Sequence, residues 1–509
     1  MRLNIIIGGR AGQGINLVSG IVSSVLAQQG YFTFNYRDYP SVIRGGHNFN
    51  ILSISDQQVE SHESSINGIV AMDDLTLEVH KKELKKSGFT IPSDKYIEFG
   101  INLNIALAGA LMKTLGIEKS VLNQEVKKVI KNNSEEALKA AGFGFDSVEK
   151  KFSLNKLNNN LTIFSGSDGI VQGAINSKID VYFGYPMTPS TAVLQSLASS
   201  QEKVGHLVFQ PEGEIAVANM ALASSFAGAR TMIGTSGGGY DLMTEALSLQ
   251  GQSEIPLVVY LASRVGPATG LPTYTLQGDL DIALRAGHGE FPRVVIAPGT
   301  PQEAIEKTNE AFYLSEKFGA LSIILSDKHL AESEYSFVEQ TKKPLKIEIK
   351  RPIPGEKIVK ATSYEHDDFG NTTEAAELTF KKANLRLKKY DDIKKECEKL
   401  ETIKFHGNQK SKNLIIGWGS TAGAIKDAIK GLDAKFLQVL YLKPLSDNIK
   451  TEIEEAKNVI LIENNLTGQL GRLIREKTGI SIKNRILKYN GLPFLSDELQ
   501  AQIKKELKI

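Results

Sequence analysis

Apolar positions along this chain fall into two spacings. Short β-branched runs such as Leu3–Ile7, Val181–Phe183, Leu257–Leu261, Arg293–Ile296 and Leu321–Leu325 predict strands. Between them, Ile15–Gln29, Glu214–Phe226 and Gln302–Lys317 carry the apolar period of helices. Ile255 to Ala262 is among the longest unbroken apolar runs, and its length and branching predict a strand buried on both faces. Strand and helix alternate, so the fold class is α/β.

The alternation restarts twice. The first block, residues 1–155, predicts strands at Leu3–Ile7, Tyr31–Asn35 and Phe49–Ile54, and a polar, Asn-rich stretch from Lys150 to Asn160 reads as a linker. The second block, 161–335, adds strands at Leu207–Gln210 and Thr231–Gly234 and fits a doubly wound sheet. Residues 336–412 are rich in lysine and glutamate and read as a surface connector, with an exposed helix over Thr373–Lys395. A smaller α/β domain, 413–509, predicts strands at Asn413–Gly417, Lys435–Val439 and Asn458–Ile462.

Composition narrows the function classes. The 509 residues suffice for about three domains. Sixty basic residues against 58 acidic ones carry no nucleic-acid footprint. No apolar run approaches the roughly 18 residues of a membrane span. The N-terminus reads as a first strand rather than a signal peptide, so the expected location is cytoplasmic. Cys397 is the single cysteine. It can form neither an intrachain disulfide nor a four-thiolate cluster, so an iron–sulfur cluster would have to sit on another chain. The eight histidines show no metal-ligand spacing, and His47, His288 and His366 read as structural.

Candidate chemistry clusters where strands end. Tyr185-Pro186-Met187-Thr188-Pro189-Ser190-Thr191 follows a strand, and its prolines stiffen the backbone on either side of Thr188. It is either a turn before a helix capped by Ser190 or Thr191, or a ligand loop. Arg264-Val265-Gly266-Pro267 follows another strand, and arginine with a hydroxyl suits a carboxylate. Sequence alone leaves open whether the two loops converge. Glu212-Gly213-Glu214 opens an alanine-rich helix, where the dipole alone suffices to explain both carboxylates and a desolvated site is the alternative. Thr235-Ser236-Gly237-Gly238-Gly239 permits close approach of a ligand or second chain. Gly9-Arg10-Ala11-Gly12-Gln13-Gly14 opens a helix without the dinucleotide spacing, and Arg44-Gly45-Gly46-His47 offers a planar anion fork or an ordinary turn.

Taken in order, these motifs resemble the α subunit of 2-oxoacid:ferredoxin oxidoreductases in the form with a γ domain fused at its N-terminus. Gly9–Gly14 and Arg44–Gly46 are similar to the γ-domain motifs. Tyr185–Ser190, Glu212–Glu214, Thr235–Gly239, Arg264–Thr273 and Gln277-Gly278-Asp279 are similar to α-domain motifs, and Glu463-Asn464 with Gly468-Gln469 to a C-terminal one. The resemblance implies a central thiamine-diphosphate-type pyrimidine-binding domain and a transketolase-C-like C-terminal domain. It implies oxidative decarboxylation of a 2-oxoacid, 2-oxoglutarate first, with coenzyme A taking the acyl group and ferredoxin the electrons. Glu214 matches the glutamate that hydrogen-bonds the cofactor's aminopyrimidine ring, and Thr188 and Arg264 match residues that hold the substrate carboxylate.

The resemblance further implies a β subunit carrying the Mg²⁺-diphosphate and iron–sulfur sites, without which this chain is inactive. Ala11, Gly238 and Ala268 depart from the usual glycine, proline and serine, and Ala268 removes a hydroxyl beside the expected carboxylate site. Pyruvate, broad-range and indolepyruvate-type enzymes are the alternatives within the class, and a non-catalytic scaffold is the alternative outside it.

Overall fold

The computed structural model describes residues 1–42, 45–340 and 342–508, so Arg44 of the Arg-Gly-Gly-His motif lies outside the described residues. Contacts divide the chain into two units. Met1–Phe164, Ser333–Gln340 and Leu495–Ala501 form the first, and the remaining described chain forms the second.

In the first unit, strand Arg2–Gly9 pairs antiparallel with Asn48–Ser55 and parallel with Ile66–Ala71. The sheet runs Leu84–Ile91, Ile66–Ala71, Arg2–Gly9, Asn48–Ser55, Phe32–Asp38, Glu334–Phe337, Thr162–Ser165. Its apolar face, including Ile5, Ile7, Leu52 and Val70, packs in one core with Val18 and Val22 of helix Ile15–Gln28 and Leu107 and Leu111 of helix Leu103–Leu115. Helix Leu103–Leu115 meets Ser134–Asp146 through glycine: a Cβ at Gly144 would lie 1.8 Å from the Ala106 carbonyl oxygen.

One sequence expectation is corrected here. Residues up to 335 were expected in the central block, but Glu334 and Tyr335 pair antiparallel with Asn35 and Phe34 of the first. The pairing buries Tyr335 and Phe337, and nothing local in Glu-Tyr-Ser-Phe specifies a partner some 300 residues away.

The second unit holds two sheets. Across the larger, the order is Tyr441–Lys443, Arg293–Ile296, Leu321–Asp327, Leu257–Ser263, Thr231–Thr235, Val181–Gly184, Leu207–Phe209. All neighbours pair parallel except the first two, which are antiparallel. Every residue of Leu257–Ser263 and Leu321–Asp327 is buried, the signature of a strand covered by helices on both faces. Those helices start where side chains satisfy their free amides. Thr300 caps Pro301–Phe318 by accepting from Glu303 N at 3.2 Å, and Ser165 and Asp168 form a capping box at Gly166–Asn176.

The smaller sheet runs Ile403–Gly407, Lys435–Val439, Asn413–Trp418, Asn458–Glu463, Asn484–Leu487. Ile403–Gly407 was expected within the connector. Its antiparallel pairing with Lys435–Val439 brings it into this sheet instead. Within the connector, helix Ala376–Cys397 buries only Ile393 and Cys397.

Candidate functional site

From Val181–Gly184 the chain crosses to Leu207–Phe209 on one side, then returns to Thr231–Thr235 on the other. That reversal opens a crevice beyond the carboxyl ends of the parallel strands, where open α/β sheets bind ligands. The loops after Val181–Gly184, Leu207–Phe209, Thr231–Thr235 and Leu257–Ser263 carry Thr188, Glu214, Gly237–Gly239 and Arg264.

Thr188 and Arg264 are brought together. Arg264 Nη1 donates to the Thr188 carbonyl at 3.0 Å. The Thr188 loop is turned by Ser190, whose backbone N and Oγ both donate to Met187 O, at 2.9 and 2.7 Å. Ser190 is also the N-cap residue of helix Thr191–Val204, though its hydroxyl does not cap the helix amides. Among the described residues the carbonyl contact is the only hydrogen bond to the guanidinium, and the Thr188 hydroxyl has none. Burial lowers the Arg264 pKa from its ordinary value, and the charge of Asp279 opposes that shift.

Glu214 is the first residue of helix Glu214–Phe226 and is 7% exposed. Its side chain lies against Gly239, whose added Cβ would stand 2.8 Å from Glu214 Cγ and 2.2 Å from Thr235 Oγ1. On the other flank, a Cβ at Gly237 would meet the Asp279 carboxylate oxygens at 2.7 and 2.8 Å. Glycine at 237 and 239 therefore leaves room for two carboxylates at the start of helix Gly237–Ser253. Gly238, by contrast, faces open space. Among the described residues no hydrogen bond holds the Glu214 carboxylate.

Asp279 received no role from sequence, although Gln277-Gly278-Asp279 was one of the motifs. Its signal is the loop holding it. Gln277 N donates to Asn464 O at 2.7 Å, Asn464 N to Gln277 Oε1 at 2.9 Å, and Gln277 Nε2 to Trp418 O at 2.8 Å. Gln469 Nε2 donates to Gly278 O at 2.7 Å. The two motif pairs thus meet as a clamp between the large and small sheets. Burial pushes the Asp279 carboxyl up to about 6, helped by the charge of Asp241 and opposed by Ser263 and Arg264.

Leu207 and Phe209 on the edge strand, Ile215 in helix Glu214–Phe226 and Leu242 in helix Gly237–Ser253 are more than half exposed. In the first unit, Gly12, Gly14, Ile15, Asn16 and Arg37 help to line a cavity of about 420 Å³. Helix Ile15–Gln28 starts there from Gly14 at φ +85°, with no side-chain cap. His47 pairs with His80, Nε2 to Nε2 at 2.8 Å. Among the described residues no cluster of three or more His, Cys, Asp or Glu could hold a metal, and no helix is long and apolar enough to cross a membrane.

The chain matches the family described as "Pyruvate flavodoxin/ferredoxin oxidoreductase, thiamine diP-bdg" over residues 172–402 and "Pyruvate ferredoxin/flavodoxin oxidoreductase" over 4–98. It is 30% identical to the 2-oxoglutarate synthase subunit KorA of Methanocaldococcus jannaschii, over 60% of this chain and 88% of that one. The chain belongs to the α subunits of the 2-oxoacid:ferredoxin oxidoreductases. An α subunit from Sulfolobus sp. is 28% identical over 100% of this chain and 97% of its own length. A solved 2-oxoglutarate:ferredoxin oxidoreductase from Magnetococcus marinus, described with 2-oxoglutarate, coenzyme A and succinyl-CoA bound, superposes with a TM-score of 0.91 at 25% identity, covering 99% of both chains. The chain is thus a subunit of an oxidoreductase family, with an α/β fold common to it.

Proposed function

We propose that this chain supplies the pyrimidine-ring half of a thiamine diphosphate site and the substrate clamp of an enzyme that oxidatively decarboxylates 2-oxoglutarate. The observation that carries this is the Glu214 carboxylate, buried at a helix start beside Gly239 with no donor among the described residues. A ring nitrogen of the cofactor would hydrogen-bond Glu214, which would hold the shared proton there. When bound, thiamine diphosphate supplies the electron sink on which a 2-oxoacid loses carbon dioxide.

The protein's part is orientation. Arg264 presents its remaining guanidinium donors as a fork for the oxoacid carboxylate, and the Thr188 hydroxyl adds a further hydrogen bond. Fixing the carboxylate fixes the keto carbon beside the cofactor, a contribution of several kcal/mol in well-oriented systems, roughly 7–11 at its largest. Two electrons leave to ferredoxin, and coenzyme A takes the acyl group. The cavity at Gly12 and Gly14 is our candidate for the coenzyme's anionic end, because an uncapped helix start presents free N–H donors.

A β subunit completes the site in this reading. It carries Mg²⁺ and the iron–sulfur cluster, and it covers Leu207, Phe209, Ile215 and Leu242. The chain alone is then inactive, and the enzyme is cytoplasmic. The choice of 2-oxoglutarate over pyruvate or aryl oxoacids rests on the relatives named 2-oxoglutarate synthase and on the Magnetococcus marinus structure. A scaffold without chemistry gives no account of Thr188, Arg264 and Glu214 standing on neighbouring loops of one crevice.

The test is purification from native cells, with assays for a cysteine-rich partner, thiamine diphosphate, iron and coenzyme A-dependent viologen reduction over a panel of 2-oxoacids. Glu214→Gln should leave the assembly intact and lower kcat by about 10²–10⁴. Unchanged turnover in that variant defeats the proposal, and turnover of pyruvate alone defeats the choice of substrate.

A further inference from the structure

The sheet face of the first unit that carries Ile5, Ile7 and Leu52 turns polar toward strand Phe32–Asp38. Side chains alternate along a strand, so Asn35 and Arg37 share this face, and Tyr36 and Asp38 share the other. There Tyr36 Oη donates to Asp38 Oδ2 at 3.0 Å, which keeps that carboxylate on the far side from Arg37. Across the ladders, Arg37 stands opposite Asn50 and Asn35 opposite Glu334.

Glu334 joins these residues. Its Oε2 accepts from Asn35 Nδ2 at 2.8 Å, and its Oε1 accepts from Arg37 Nη2. Asn35 Nδ2 also reaches Ser19 Oγ at 3.3 Å. Asn50 Nδ2 donates to Ser19 Oγ at 2.7 Å and to Asn16 Oδ1 at 3.0 Å. Ser19, Asn35 and Asn50 are buried, and a buried polar row costs stability unless its members satisfy one another. The row ends at the cavity of about 420 Å³, which Asn16, Arg37 and Asn50 line together with Gly12 and Gly14. A guanidinium carries several coplanar N–H donors, so a carboxylate that takes one of them fixes the plane of the fork without exhausting it.

We propose that Glu334 is a positioning residue for this cavity: it sets the plane of Arg37 for an incoming phosphate, and through Asn35 and Ser19 it holds Asn50 and Asn16 along the cavity wall. This rests on the reading of the cavity as the seat of the coenzyme's anionic end. Arg37 then supplies the cation beside the free N–H groups at the start of helix Ile15–Gln28. Strand Glu334–Phe337 thereby belongs to the binding site, although Glu334 follows Asn35 by 299 residues in sequence.

The experiment uses the holoenzyme with its partner subunit and compares wild type, Arg37→Gln, Glu334→Gln and the double variant. Coenzyme A affinity is read both as KM in turnover and as Kd by calorimetry without oxoacid. Glu334→Gln keeps the size of the side chain and an acceptor for Asn35, but loses the charge that holds Arg37. It should weaken coenzyme A by about tenfold in both readings, with KM for the oxoacid and affinity for thiamine diphosphate at wild-type values. In the Arg37→Gln background the same change should add nothing. Glu334→Asp, charged but shorter, should recover part of the affinity. If melting shows that Glu334→Gln does not fold, Glu334→Asp carries the test with an expected loss of about threefold. Wild-type coenzyme A affinity in the Glu334 variants or in Arg37→Gln, effects that simply multiply, or an equal loss for the oxoacid overturns the inference. Asn16→Glu puts a carboxylate in the cavity and tests the reading beneath it: unchanged coenzyme A affinity there overturns the cavity as the coenzyme's seat, and the inference with it.

Discussion

Gln277 and Asn464 hold each other by two hydrogen bonds across 187 residues of chain, Gln277 N to Asn464 O and Asn464 N to Gln277 Oε1. Both are buried, at 1% and 2% exposure, so neither bond competes with water. The Gln277 amide nitrogen also reaches Trp418 O. One glutamine thus ties the loop carrying Asp279 to two strand ends of the small sheet.

Gln277→Ala should therefore destabilise more than Asn464→Ala. The first leaves the buried Asn464 N–H without its partner, at about 1–3 kcal/mol for an orphaned group, and takes from the Trp418 carbonyl one of its two donors, Thr421 Oγ1 remaining at 2.7 Å. The second keeps both backbone bonds to Gln277 and loses only side-chain donation to Lys488 O and Leu492 O. Urea denaturation of the two variants checks the order. A larger loss in Asn464→Ala contradicts the clamp as drawn.

How much of this was legible follows from which interactions are local. Leu257–Ser263 and Arg293–Ile296 were readable because a strand buried on both faces is apolar along most of its length. Helix Glu214–Phe226 was readable because Glu214 and the alanines mark its start and composition. Ile403–Gly407 was not, since Lys404 and His406 give an edge strand no apolar run, and its partner Lys435–Val439 is remote. Tyr441–Lys443 joins the large sheet for the same non-local reason. Within the site, Thr188, Glu214 and Arg264 stood out as chemistry at strand ends. The seat of Asp279 did not, because it exists only once Gly237 and the clamp are in place.

Gly239 and Gly238 should respond in opposite ways. Gly239→Ala forces a methyl group into Thr235 Oγ1 and the Glu214 side chain, shifting the carboxylate. Thiamine diphosphate affinity and turnover should both fall, because a displacement of about 1 Å can cost 10²-fold in rate. Gly238→Ala meets nothing within 4 Å in the chain and should fold normally, with a gain of about 0.4–1 kcal/mol from a stiffer unfolded chain. Calorimetric cofactor titration of both variants gives the comparison, and equal affinities would count against the packing described for Glu214.

The exposed apolar residues of the second unit give a separate test of assembly. Leu207→Lys and Ile215→Glu alter side chains that are 65% and 60% exposed, so the isolated chain should lose no more than about 0.5 kcal/mol. Burying either charge against a partner is costly, and co-purification of the β subunit should drop sharply. Pull-down alongside thermal melting separates the two effects. Intact co-purification of both variants would move the partner to another face.

His406 makes stability fall on acidification. Burial, then the nearby charge of Lys426, depresses its pKa from 6.5 to about 4, against the hydrogen bond to Gln438 Oε1 at 2.9 Å. Its ring stacks on Phe436, with centroids 5.4 Å apart. In the unfolded chain the imidazole takes up its proton near pH 6.5, whereas the folded chain resists until about 4, so between those values the unfolded state binds more protons. Stability contributed by the neutral ring is full above 6.5 and is lost progressively as pH drops toward 4, by roughly 3 kcal/mol at the end of that window. His406→Gln has no such titration. Denaturation midpoints of wild type and variant, measured from pH 7.5 down to about 4.5, should therefore converge as acid is added, whereas parallel curves would mean that His406 titrates as it does in water.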